Sequence, residues 1–497
     1  MIFPILLLAL ILRLINLNQS LWLDEAVQAI TAKGSFAYIF QEIIGDFHPP
    51  LYHFLMHYWV SIFGSSEIAI RMPSVLFGVG TVWLVYKIAK IICGQWSVVS
   101  GQGLGVKDHQ SLITNHKSLA TIAALFLATA PFHVYYSQEA RMYSMETFFI
   151  AASFYYFLRI LKDDRGWLRV IFFLATLTAL YTDYYAWLGV LAQGIYLLTR
   201  RKYKFLILNS LFLILCYLPW LPMFLTQLKT GMLATQALPG WGELVNLSFF
   251  KAIPLTFVKF SIGRIIIFNK IVYAGVAGII IGLYGFLILR TVRGWIKDKL
   301  KDGRGVLVVW FLLPLVTAWL VSLFVPNFQP FRLLLILPAF YLLLLFGIFS
   351  FKSKILRSGL VALVVIINLS SLAVYYFNPY FQREDWKGLV NFLKKQENSQ
   401  VLLPSSTSDW PIRYYDQKNI IKLVYGAKGI APINDNQIPV SSDWLSVISD
   451  QKVIYVRYLV PLFDPNEKIL AELREAGYTK VKEVNFNQIP LWEYQKK

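Results

Sequence analysis

The chain is poor in charge, in acidic residues and in cysteine. Only 15% of its 497 residues are charged, against about 25% in an ordinary soluble protein. Acidic residues number 28 against 47 basic ones, a net charge of +19. There are two cysteines, Cys93 and Cys216. Each lies within or at the end of an apolar run, so neither a disulfide framework nor a zinc-site spacing is available. No Walker motif, GxGxxG fingerprint or DxD string of the nucleotide-sugar type stands out. The sequence therefore carries no evident nucleotide site.

What the chain has in quantity is hydrocarbon: 57% of its residues are hydrophobic. Apolar runs of roughly 17–25 residues recur, the length a helix needs to cross a bilayer. Eleven candidate spans fall at about 1–17, 71–92, 119–137, 143–161, 169–184, 186–199, 205–225, 266–290, 305–325, 332–350 and 356–376. The first lacks a basic n-region and a small-residue cleavage site, so it reads as a retained span. Basic residues cluster in the connections at 87–117, 159–169, 200–204, 290–304 and 352–357. These alternate with connections holding Asp24, Glu139, Asp183 and Phe328. The basic set is expected to be cytoplasmic, as is the N-terminus, with the acidic loops outside. This distribution explains the positive balance by membrane topology and argues against nucleic acid as a partner. The bilayer is the implied surrounding.

Two stretches break the hydrophobic pattern. Residues 94–118 are polar and rich in Gly, Ser and Gln. Asp108, His109 and His116 there can be read as metal ligands, but the composition favours a low-complexity cytoplasmic insertion. From about 377 the chain turns soluble. Periodic segments at 383–396 and 465–478 predict helices, and 401–405, 420–425, 452–460 and 480–486 predict strands. The expected fold is a polytopic α-helical membrane protein of about 11 transmembrane helices, residues 1–376, followed by an extracytoplasmic α/β domain, 377–497.

The chemistry-bearing residues gather in the expected outer loops. Residues 18–70 hold Asp24 and Glu25, then Asp46-Phe47-His48-Pro49-Pro50. Adjacent residues on a helix point about 100° apart, so Asp24 and Glu25 cannot both face one site. They also suit the first turn of a helix over 26–32, where acidic residues cap and complement the dipole. The prolines favour a helix over 51–63, whose N-terminus would present Asp46 and His48 to an anion. His53 and His57, four apart, share a helix face that permits metal binding, but no third ligand accompanies them. A second outer turn reads Tyr135-Tyr136-Ser137-Gln138-Glu139-Ala140-Arg141-Met142-Tyr143. Arg141 and Tyr143 there also fit interfacial anchoring. Weaker signals are Asp183 in YTDYYAW, Arg332 in PNFQPFRLLLILP, and Arg13, which within a span is costly unless it pairs or reaches outward.

The WLDEA string at 22–26, the DFHPPLYH string at 46–53 and the YSQEARMYS string at 136–144 resemble the outer-loop motifs of the GT-C glycosyltransferases. They look most like family 39, the branch of protein O-mannosyltransferases and lipid A aminoarabinose transferases. The resemblance implies an inverting transferase of hexose or pentose units with a polyprenyl-phosphate-sugar donor and an unnamed acceptor, in the cell membrane. It implies Asp24 as catalytic base and Glu139 as a second catalytic acidic residue. Glu25, Asp46, His48, Gln138, Arg141, Tyr143 and Arg332 are the expected substrate-binding set. Asp24, His48 and Glu139 are also of the types that ligate a divalent cation, a role the resemblance leaves open; no other cofactor is implied. At Asp183 many family members carry histidine, a departure from the pattern. The alternative reading is a transporter or flippase of lipid-linked saccharides. It predicts internal repeats and ionisable residues at mid-membrane depth, whereas the charged motifs here sit at span ends.

Overall fold

The structure, a computed structural model, describes residues 2–100, 109–238, 241–298, 303–396, 399–427, 444–448 and 451–496. The helices of the membrane region are α1 (Phe3–Leu14), α2 (Leu23–Thr31), α3 (Phe36–Gly45), α4 (Leu51–Phe63), α5 (Glu67–Ser100), α6 (His109–Thr129), α7 (Pro131–Ser137), α8 (Tyr143–Lys162), α9 (Gly166–Leu180), α10 (Ala186–Thr199), α11 (Tyr203–Tyr217), α12 (Leu221–Ala237), α13 (Trp241–Val245), α14 (Phe249–Ile262), α15 (Lys270–Lys297), α16 (Arg304–Val321), α17 (Leu337–Phe349) and α18 (Lys354–Phe377). Each expected span falls on a helix. Among the described residues, six are long and apolar enough to cross a membrane. A seventh is added if the α6–α7 pair, bent by 61°, is one span. The bend comes at Pro131, which has no N–H to continue the ladder. The remaining spans correspond to shorter helices such as α1, α9 and α10, or to the more polar α8. The chain is a multi-pass membrane protein.

Of the stretch 94–118, residues 94–100 extend α5 and 109–118 open α6, so its described flanks are helical. Residues 101–108, Asp108 among them, lie outside the described residues. The amphipathic helices α2, α3 and α4 occupy the first long connection, and α4 covers the expected 51–63.

Inside hydrocarbon, helices associate by close packing and by polar side chains that bond across interfaces. Both devices are present. A Cβ on Gly347 of α17 would sit 2.1 Å from the Leu287 carbonyl oxygen of α15, so only glycine lets these backbones approach. Asn368 of α18 donates to the Phe126 carbonyl (3.2 Å) and Thr129 Oγ1 (3.1 Å) of α6, and accepts from Tyr341 of α17 (3.2 Å). Arg13 does not reach outward. It is wholly buried, donating to the carbonyls of Ala9 and Ala128 and bonding His133 Nδ1 at 2.7 Å. The alternative to these partners is an unpaired charge among helices.

The soluble domain starts with α19 (Trp386–Leu393), capped by the Asp385 side chain. Five strands follow: β1 (Ser399–Ser405), β2 (Leu423–Ala427), β3 (Lys452–Val456), β4 (Tyr478–Asn485) and β5 (Pro490–Lys496). The sheet order is β2-β1-β3-β5-β4, with β1 parallel to β2 and β3, and β5 antiparallel to β3 and β4. Side chains alternate across a strand. Val401, Leu403, Ile454 and Val456 therefore pack under α19 and α20 (Trp410–Tyr415), while Leu402, Val453 and Tyr455 pack under α21 (Trp444–Val447) and, beyond α22 (Val460–Phe463), α23 (Lys468–Glu475). The four expected strands are present; β5 was not anticipated.

The two regions dock through α20 and the start of α19. Tyr415 Oη accepts from the Leu21 N–H (2.9 Å), Tyr414 Oη donates to the Ser65 carbonyl (2.6 Å), and Lys387 pairs with Glu67 (3.1 Å). Gly347→Ala is expected to force α15 and α17 apart, lowering stability by about 1–3 kcal/mol as overpacked cores do. Thermal unfolding of the purified protein in detergent reads this directly, and an unchanged midpoint would mean that the helices can slide apart freely.

Candidate functional site

The two carboxylates at the start of α2 have opposite fates. The helix begins after Trp22, whose backbone is extended and whose side chain makes no cap. Asp24 and Glu25 share the first turn but point to different sides. Glu25 is fully buried, and both its oxygens meet Arg71: Nε to Oε1 at 2.8 Å and Nη2 to Oε2 at 2.5 Å. The Ala140 N–H also donates to Oε1 at 2.9 Å. Arg71 spends its other donors on the carbonyls of Leu17, Gln19 and Ser20. Burial alone would raise the Glu25 carboxyl, but Arg71 outweighs it and holds it below the usual range. The expectation that Glu25 contacts substrate is corrected: its lone pairs tie the first loop to α5 and to the 138–142 turn.

Asp24 turns to the open side, where 35% of its side chain is accessible. Its Oδ2 lies 3.5 Å from Arg141 Nη1. Arg141 Nη2 lies 3.1 Å from His48 Nε2, and His48 Nδ1 faces Asp183 Oδ2 at 3.5 Å. A guanidinium has only donors, so Nε2 of His48 accepts and its proton rests on Nδ1, toward Asp183. Gln227 of α12 donates to the carbonyls of Ile43 and His48, which fixes the Asp46–His48 bend. Asp46 pairs with His53 at 3.4 Å. His57 bonds the Ala32 carbonyl at 2.9 Å, so the two histidines serve different neighbours. Tyr143 is a buried wall, edge-on to His48 and beneath Arg141, with Phe331 beside it.

The electrostatics separate the two mouth carboxylates. Burial pushes Asp24 above its ordinary range, against the pull of Arg141. For Asp46 the balance reverses: burial is outweighed by the contact with His53 and the charge of Arg141, and the carboxyl is held well below its usual value. Burial disfavours the charge on Arg141, yet Asp24 and its neighbours keep the guanidinium firmly protonated.

Glu139 does not share the open mouth. It is 2% exposed and paired with Arg383 at 3.2 Å. Burial raises its carboxyl against that pairing. Arg383 also donates to the Gln138 carbonyl (3.1 Å) and covers the Tyr135 ring, which Arg264 covers too. Gln138 is likewise corrected. Its amide donates to the carbonyls of Arg13 and Ile15 and accepts from Tyr375, so both of its donors are committed to the frame. Arg332 lies over Phe331 and its guanidinium has no hydrogen-bond or ion-pair partner among the described residues. The three possible metal ligands are not gathered. Arg141 stands between Asp24 and His48, and Arg383 holds Glu139. Among the described residues no group of three or more His, Cys, Asp or Glu side chains is arranged to hold a metal ion. The donor set does not fit a divalent cation.

Sequence reasoning missed Arg71, Arg383 and the Asp183–His48 contact. A faint signal existed for the arginines. Arg71 opens a long span and Arg383 follows the last one, both on the acidic side where other basic residues are scarce.

With this geometry in view, the comparisons agree on the architecture. The family model described as dolichyl-phosphate-mannose-protein mannosyltransferase matches residues 47–103. Two crystal structures of ArnT from Cupriavidus metallidurans share the fold. The apo form aligns at 12% identity with TM-score 0.54, and the form bound to undecaprenyl phosphate at 13% with TM-score 0.53. Each alignment covers 98% of this chain and 97% of the ArnT chain. Comparison with curated protein sequences finds no match. The chain is similar to GT-C glycosyltransferases of the family 39 type and has an ArnT-like fold.

Removing Arg71 should be far more damaging than its distance from the open mouth suggests. Arg71→Met leaves Glu25 buried without its counter-charge, a change expected to remove about 3–5 kcal/mol of stability. Adding Glu25→Leu should restore much of it, because the uncompensated charge is then gone. Thermal unfolding of both variants checks this; equal midpoints for wild type and the single variant would contradict the pairing.

Proposed function

We propose that this protein is an inverting glycosyltransferase that moves a sugar from a polyprenyl-phosphate carrier to an acceptor at the outer face of the membrane. The N-terminus is then cytoplasmic and the α/β domain extracytoplasmic. The observation that carries this reading is the contrast between mouth carboxylates. Side-chain exposure is 35% for Asp24 and 28% for Asp46, against 4% for Asp183, 3% for Glu139 and none for Glu25. Of the two open ones, only Asp24 has a raised proton affinity. A general base must both reach its proton and hold it. Asp24 suits that task, and Asp46, whose carboxyl is held well below its usual value, does not.

The reaction follows from that assignment. The acceptor O–H gives its proton to Asp24 as its oxygen attacks the anomeric carbon. The bond from that carbon to the phosphate oxygen breaks on the opposite face, and the electron pair stays with the phosphate. One displacement inverts the anomeric centre. The leaving polyprenyl phosphate gains a second negative charge, and Arg141 and Arg332, the latter without a hydrogen-bond or ion-pair partner among the described residues, are the cations we propose to meet it. His48, its proton turned to Asp183, holds Arg141 in place through Nε2. No step is routed through a metal ion. Two findings support a lipid-phosphate donor: the ArnT structure with undecaprenyl phosphate and the mannosyltransferase family match.

Asp24→Asn should lower transfer at least ~100-fold, the usual scale for a positioned base, while donor binding persists. Wild-type activity should rise with pH through the elevated Asp24 titration, and that limb should vanish in the variant. The stability effect has the opposite sign to the activity effect. A raised carboxyl favours the folded state only while protonated, so ionised Asp24 is a liability at neutral pH. The asparagine variant should therefore melt no lower than wild type. Near-normal turnover in purified Asp24→Asn would sink the assignment.

A further inference from the structure

We infer that Arg264, on the turn between α14 and α15, is a docking point for the phosphate of an anionic bilayer lipid, in a site that shares no residue with the mouth. The site stands independently of the transferase reading and gives the molecule a second ligand.

Arg264 owes its place to the glycine before it. Gly263 ends α14 with φ +70°, and a Cβ there would lie 3.1 Å from Pro131, so the chain turns tightly over the start of α7. Arg264 Nη1 then donates to Tyr135 Oη at 2.5 Å, and its guanidinium lies 4.7 Å from the centre of the Tyr135 ring. Arg383 covers the same ring at the same distance. The two cations differ in their counter-charges. Arg383 is buried and paired with Glu139. Arg264 is exposed, and among the described residues no carboxylate pairs with it. Glu384, whose carboxyl feels the Arg264 charge, spends its oxygens on Trp386 (2.8 Å) and Tyr458 (3.2 Å). Lys259, in the last turn of α14, is a further cation with no ion pair among the described residues. A neutral phenol cannot balance a guanidinium, and the remaining N–H donors of Arg264 are left for an anion.

The guanidinium stands at a small pocket between α7, α14 and α18, walled by Pro131, Tyr135, Ile265, Ser371, Tyr375 and Phe381. The pocket has room for about one water-sized group. A single phosphate oxygen fits that space, and a whole head group does not. The bulk of the ligand therefore stays outside, against the flanks of the pocket.

Those flanks are apolar and lie at the ends of two spans. The membrane-length helices α15 and α18 respectively start at Lys270 and end at Phe377. Phe268, just before the one, meets Tyr380, just after the other, with ring centres 5.0 Å apart. The pocket is thus level with the helix ends, where a bilayer places its head groups. Phe268 is 68% exposed and Phe377 84%, surface of the kind that hydrocarbon covers, and Tyr380 has the position of an aromatic-belt residue. An unpaired arginine beside hydrocarbon-seeking side chains matches the two halves of an anionic lipid. A water-soluble anion would use only the first. A phosphate held here ties the α14–α15 turn to α7, whose end runs into the turn that carries Arg141.

The test uses purified full-length protein, stripped of lipid in a neutral detergent. It is titrated with dioleoyl phosphatidylglycerol and, separately, with dioleoyl phosphatidylcholine, and bound lipid is counted by native mass spectrometry. Phosphatidylglycerol should bind the wild type more tightly than phosphatidylcholine and raise its unfolding midpoint. Arg264→Gln should weaken phosphatidylglycerol binding by roughly 10- to 100-fold, the worth of a charge-assisted hydrogen bond, and Arg264→Lys by less. Unfolding midpoints measured without lipid separate lost binding from lost folding. Arg332→Gln, which removes a cation assigned to the mouth, should leave the affinity unchanged. A loss of affinity in Arg332→Gln would place the lipid in the mouth and overturn the site. So would equal affinity for the two lipids, or unchanged binding by Arg264→Gln. Displacement of phosphatidylglycerol by equimolar inorganic phosphate would also overturn it, as the mark of a site for soluble anions.

Discussion

Arg71 opens a membrane-length helix and Glu25 lies in the loop before it, with side chains 1% and 0% exposed. An isolated charge at that depth is among the most expensive things a protein can bury, and a well-bonded pair is tolerable. The pairing dictates much of what surrounds it. It draws the carbonyls of Leu17, Gln19 and Ser20 onto α5 and the Ala140 N–H onto α2. Because Glu25 faces inward, its neighbour Asp24 must face away, about 100° round the helix. One ion pair thereby places the candidate base at the open side of the bundle.

A second ion pair sets the other wall. Arg383–Glu139 joins the start of the soluble domain to the 138–142 turn. That turn carries Arg141, the cation between Asp24 and His48. The two pairs converge on one short turn: Glu25 takes the Ala140 N–H and Arg383 takes the Gln138 carbonyl. A guanidinium held from both sides in this way is preorganised, which is the property electrostatic catalysis needs. The account thus divides the acidic residues by environment. Glu25, with a full counter-charge, builds the frame; burial raises both Asp24 and Glu139, and Asp24 is the more exposed of the two, which is why we propose it as the base.

Six or seven of the eleven expected spans, the C-terminal sheet domain and the gathering of the loop motifs were legible in the sequence. Hydropathy and the distribution of basic residues are signals averaged over many positions, and each motif sits at a span end on the same side. The partners were not legible. Glu25 and Arg71 are 46 residues apart, and Glu139 and Arg383 are 244 apart. No local pattern says which of two adjacent carboxylates will be claimed by a distant arginine. Gln138 looked like a ligand because it lies in the YSQEARMYS string, yet its partners are backbone carbonyls and a tyrosine that only the fold supplies. Strand β5, PLWEYQK, was missed because its strand character comes from pairing with β3 and β4 more than from its own composition.

The central claim is a single displacement driven by one base, and the stereochemistry of transfer tests it most directly. With an α-configured and a β-configured short-chain polyprenyl-phosphate sugar as donors, proton NMR of the product reports the anomeric configuration through its coupling constants. The account predicts inversion from the donor that is used. Retention would require a carboxylate nucleophile and two displacements, and would contradict the assignment of Asp24 as base.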